Sequence, residues 1–139
     1  MVAWDRRALA ARLRRKAANG GIVVCDRYPS ATVGAMDSAR LEASKEKGIL
    51  GYLARLENHI YRQIPPPDVV IRLTVPIEVA IERNRERQKK GKEGDAYVVR
   101  RHTSGTVPVF PTARTIELNS DQTQSQTIQR VREIVRSVL

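Results

Sequence analysis

Between Gly20-Gly21 and Asp26 the chain runs Ile22-Val23-Val24-Cys25 without a polar residue. Three of these four side chains are β-branched, and a short, continuously apolar run of that kind reads as a strand buried on both faces, the type found in helix-covered parallel sheets. Pro29 and Ser30, just beyond it, oppose further strand pairing. This run predicts an α/β architecture, because a strand buried on both sides needs a helical layer above and below.

The flanking sequence supplies candidates for those layers. Trp4 to Ala18 places Trp4, Ala8, Leu9, Ala11 and Leu13 near one stripe with arginines opposite, an amphipathic helix that stops at Asn19-Gly20-Gly21. Residues 30–45 carry no firm period and read as a loop. A second helix is expected from about Lys47 to Gln63, with Ile49, Leu50, Leu53, Leu56, Glu57 and Ile60 inward, until Pro65-Pro66-Pro67 ends it. Val69 to Val75 reads as a strand, and Pro76 opens a third helix. A basic segment, 88–105, precedes a short strand from Thr115 to Leu118 and a helix from about Gln124 to Val138. Helices and strands in that alternation imply one domain with parallel strands, right-handed crossovers and ligands at the carboxyl ends of the strands.

The net charge of +10 over 139 residues attracts polyanions, whether nucleotides, nucleic acid or acidic partners. The single cysteine, Cys25, cannot form an internal disulfide, which suits a reduced cytoplasmic setting. The sequence holds no apolar run long enough for a membrane span and no signal-peptide core at its start. Neither His59 nor His102 has partners at metal-ligand spacing, so no protein-built metal cage is expected.

Asp26-Arg27 directly follows the apolar run. A carboxylate there can orient hydrated magnesium or a substrate hydroxyl, and a guanidinium can clamp a phosphate. The competing reading is a salt bridge or helix cap. Arg83, Arg85 and Arg87 form a second candidate group. Arg83 and Arg87, four apart, share a helix face and suit a phosphate, whereas Arg85 lies opposite.

Ala3-Trp4-Asp5-Arg6, Gly21 through Asp26-Arg27-Tyr28, Pro67-Asp68-Val69-Val70-Ile71-Arg72-Leu73, and Pro76-Ile77-Glu78-Val79-Ala80 with Arg83 and Arg87 occur in an order that resembles the thymidylate kinase family of P-loop kinases. The resemblance spans nearly the whole chain. It implies a three-layer parallel sheet with helices on both faces, ATP and Mg²⁺ as cofactors, and a nucleotide or other phosphate-bearing acceptor. By match, Arg27 would hold the acceptor phosphate, Asp26 would lie near the magnesium, and Arg6 would face the acceptor base. Tyr28 completes that turn. Arg83 and Arg87, with Lys89, Lys90, Lys92, Arg100 and Arg101, would belong to a basic lid closing over the phosphates.

The chain departs from that pattern in two places. It contains no G-x-x-x-x-G-K-[ST], so the loop that cradles the phosphates is missing, and with it the first two strands of the fold. A truncated fragment, a late-called start or a degenerate domain would explain this, and the chain by itself is not expected to be a competent kinase. The gap predicts exposed apolar surface that a missing segment or a second copy would cover. After Tyr28, the sequence Pro29-Ser30-Ala31-Thr32-Val33-Gly34 lacks the aromatic and glutamine usual near the base, which leaves the acceptor open and makes Asp37 a candidate replacement contact. A basic nucleic-acid-binding module and a non-catalytic interaction module are the alternatives, although no aromatics interleave with the basic run to stack bases.

Overall fold

Helix α1 (Val2–Ala18) opens the computed structural model, which describes residues 2–87 and 93–139. It ends as the sequence predicts. Gly20, at φ +82°, donates its N–H to the Ala17 carbonyl, and Gly21 donates to Lys16, the paired bonds that close a helix through a left-handed glycine. The buried face differs from the expected stripe. Ala3 and Ala10 are buried with Arg6, Leu13 and Ala17 half-buried between and beyond them, whereas Trp4 and Leu9 are exposed. Spacings of three and four residues put this second set on one face. Small alanines there let another helix approach closely.

That helix is α2 (Gly48–Arg62), and the two belong to the first of two compact units, residues 1–67 with 106–112. Its buried residues are Gly51, Ala54, Asn58, Ile60 and Tyr61, and Ala3, Ala10, Ala39, Ile60, Tyr61 and Ile64 form one core cluster. Of the residues expected inward, Ile60 is buried and Leu56 half-buried, but Ile49, Leu50 and Leu53 are 80%, 57% and 47% exposed. Asn58 is buried because its amide donates to the Leu41 and Ala54 carbonyls, at 3.0 and 2.8 Å, which satisfies its donors.

The second unit comprises residues 68–105 and 113–139. Strand β1 (Val69–Thr74) pairs in parallel with β2 (Arg114–Asn119), in a register from Val69 opposite Arg114 to Thr74 opposite Asn119. Helix α3 (Ile77–Glu86) starts after Pro76, and α4 (Asp95–Ser104) packs against it. An Arg85–Asp95 ion pair of 2.7 Å and the Asn84 amide on the Glu93 carbonyl tie α4 to α3. His102 Nε2 meets the Val75 carbonyl at 2.7 Å. Helix α5 (Gln124–Val138) begins with a capping box in which Thr123 and Gln126 satisfy each other's backbone N–H groups.

The expected three-layer sheet is overturned: the described residues form five helices and a single two-stranded sheet. The cause lies at residues 22–25. They are unpaired, and Ile22 and Val24 are 65% and 86% exposed. A strand exists through lateral hydrogen bonds to a neighbour, and this apolar run has none among the described residues. No helix among the described residues is long and apolar enough to cross a membrane.

Candidate functional site

Arg6 sits on the inward stripe of α1, where an arginine must find partners for its donors. One terminal nitrogen, Nη1, donates to the Tyr61 hydroxyl of α2 at 2.5 Å, and Nη2 forms an ion pair with Asp37 Oδ1. The Arg6 and Asp37 side chains are 26% and 33% exposed, so the pair is sheltered but reachable from solvent. Three segments distant in sequence thus meet at one guanidinium.

The loop 30–40 delivers Asp37 through local turns. Gly34, at φ +82°, donates to the Ala39 carbonyl at 3.1 Å, Ala35 donates to Thr32, and the buried Ser38 hydroxyl donates back to the Ala35 carbonyl. Asp37 itself is left-handed at φ +58°, a conformation that aspartate tolerates better than most residues. Chemically, the cluster sets planar donors beside a carboxylate acceptor. A phosphate entering there would compete with Asp37 for the guanidinium fork.

Tyr28 lies in the same unit. Its hydroxyl donates to the Pro65 carbonyl at 2.7 Å, and its ring meets Phe110 edge to face, with centroids 5.9 Å apart. Asp26 and Arg27 are exposed, and Arg27 takes φ +66°. An arginine held left-handed turns the chain sharply between the extended run and Tyr28. Neither side chain has an ion-pair partner among the described residues.

The other predicted residues belong to the second unit. Arg83, half-buried on α3, donates to the Gln122 carbonyl at 2.9 Å. Arg87 follows the last helical residue with extended backbone, so the shared helix face reaches Arg83 and stops short of Arg87. Within the basic segment 88–105, Lys89, Lys90 and Lys92 lie outside the described residues, and Arg100 stacks over the Tyr97 ring at 5.6 Å.

Asp26 is one exposed carboxylate, and among the described residues no group of three or more histidine, cysteine or acidic side chains is placed to hold a metal. Sequence reasoning missed Tyr61, whose spacing from Ala54 and Asn58 was the available signal, and Phe110, whose irregular neighbours gave none. Compared with protein-family models, characterised proteins and solved structures, the chain matches none.

Proposed function

We propose that this chain supplies the acceptor-side chemistry of a phosphotransferase of the thymidylate-kinase-like type, one that moves a phosphoryl group from ATP to a nucleotide or similar phosphate-bearing acceptor. The convergence of Arg6, Asp37 and Tyr61 supports this reading most strongly. The resemblance makes Arg6 an acceptor contact and the departure after Tyr28 makes Asp37 another, and the two form one ion pair. Arg6 would take an acceptor oxygen, Asp37 would accept from a donor on the acceptor, and Arg27 would supply charge from its exposed turn. The phosphate-binding loop of the donor side has to come from outside these 139 residues.

Calorimetric titration of the chain with nucleoside monophosphates tests the reading. Binding of one of them at submillimolar concentration is expected, weakened about tenfold by Arg6→Ala or Arg27→Ala, because each removes a charge-assisted contact. Absence of binding by every nucleoside monophosphate would sink it.

A second reading rests on α1, where Arg12, Arg15 and Lys16 are all exposed. A solvated basic face of this kind suits a nucleic-acid backbone. Tight RNA or DNA binding with a steep salt dependence would favour this alternative over the phosphotransferase.

A further inference from the structure

Between α2 and residues 42–44, with Val33 and the buried Asn58 also in its lining, lies an open cleft of about 570 Å³. Arg55, His59 and Arg62 line one wall, and Glu42 and Ser44 line the other. Offsets of four and seven residues place the three basic side chains along a single helix face.

The charge is not balanced from within. Among the described residues neither Arg55 nor Arg62 has an ion-pair partner. Glu42, on the opposite wall, is already engaged. Lys45 pairs with it at 2.7 Å and the Ser44 hydroxyl donates to it at 3.0 Å, contacts that hold the Glu42 carboxyl below its usual range. The Gln63 amide lies 2.7 Å from His59 Nε2. The negative end of the α2 dipole accounts for His59 and Arg62 in its last turn. It does not account for Arg55, two turns earlier, nor for the cleft itself.

We infer that this cleft is a second anion site, distinct from the Arg6 cluster, and that it takes a small molecule bearing a diphosphate or two phosphoryl groups. Its volume falls in the range of small-ligand pockets, roughly 300–1,000 Å³. Each guanidinium offers a planar fork that matches two phosphate oxygens. Arg55 and Arg62 are separated by about 10 Å along the helix axis, within the joint reach of two long side chains converging on adjacent phosphoryl groups. One phosphate would leave one fork unused.

Isothermal titration of the folded chain with inorganic pyrophosphate, inorganic phosphate and ADP tests the assignment, with circular dichroism confirming that each variant retains its helices. Pyrophosphate is expected to bind more tightly than phosphate, and ADP is expected to compete for the same site. Arg55→Ala and Arg62→Ala should each weaken pyrophosphate binding about tenfold, while Arg132→Ala, in the second unit, should leave it unchanged. A loss confined to Arg6→Ala would overturn the second site while leaving the proposed acceptor site standing. Equal losses in Arg55→Ala and Arg132→Ala, or displacement of pyrophosphate by an RNA oligonucleotide with a steep salt dependence, would show diffuse polyanion attraction and overturn the inference. ADP binding without pyrophosphate binding would do so as well, since a diphosphate would not then be the group recognised.

Discussion

Arg6 looks like Arg7, Arg12 and Arg14 in sequence, yet it alone of these donates to both Tyr61 and Asp37. Its position between Ala3 and Ala10 on the buried face decides this. Asp37 has two properties that substitutions can separate, a negative charge and a left-handed backbone at φ +58°. Asp37→Asn keeps the tolerance for that backbone and loses the charge, whereas Asp37→Ala loses both and leaves Arg6 with one side-chain partner. Urea denaturation should find Asp37→Ala destabilised by about 1–2 kcal/mol and Asp37→Asn by less. Equal stability of the two variants would mean that the left-handed conformation carries no cost there.

The helices show how far local signals reach. Helix α5 spans the expected Gln124–Val138, because Thr123 and Gln126 write its start in adjacent residues. Thr123→Ala should lower stability by about 1 kcal/mol, read from the denaturation midpoint. Helix α2 is found with nearly its expected limits but with another face inward. Gly51 lies on that face, and a β-carbon there would meet the Glu46 carbonyl oxygen at 2.5 Å. Alanine normally stabilises an exposed helix position by about 1 kcal/mol relative to glycine. Here the backbone clash should reverse the sign, so thermal unfolding of Gly51→Ala should begin below that of the unsubstituted chain.

At the scale of the whole molecule, the difference between expectation and structure concentrates at residues 22–25. A strand buried on both faces would protect Cys25, but the structure exposes this thiol. Cys25 should therefore react with a chromogenic disulfide reagent in native buffer at a rate similar to that in denaturant. Protection by a factor of about a hundred or more would restore the buried strand, because exchange would then require opening of the fold. Ile22 and Val24, expected inside a buried strand, are exposed as well. Among the described residues, the buried apolar side chains, from Ala3 to Ile64, all belong to the first unit.

The sequence by itself determined what neighbours in the chain can settle: the stop of α1 at Gly20, the limits of α2 and α5, the strand after the three prolines and the helix after Pro76. Helical hydrogen bonds, caps and proline stops act over three or four residues, so a short window contains their causes. Tertiary structure decided which stripe of each helix was buried, because an alanine face that permits close approach can outweigh a face of larger apolar side chains. It also decided that Ile22–Cys25 had no paired neighbour, since β-branched composition favours a strand but only a lateral partner completes its hydrogen bonds. The meeting of Arg6, Asp37 and Tyr61 belongs there too. Residues 31 and 55 positions from Arg6 converge on it only after α1 and α2 pack and the intervening loop closes over them.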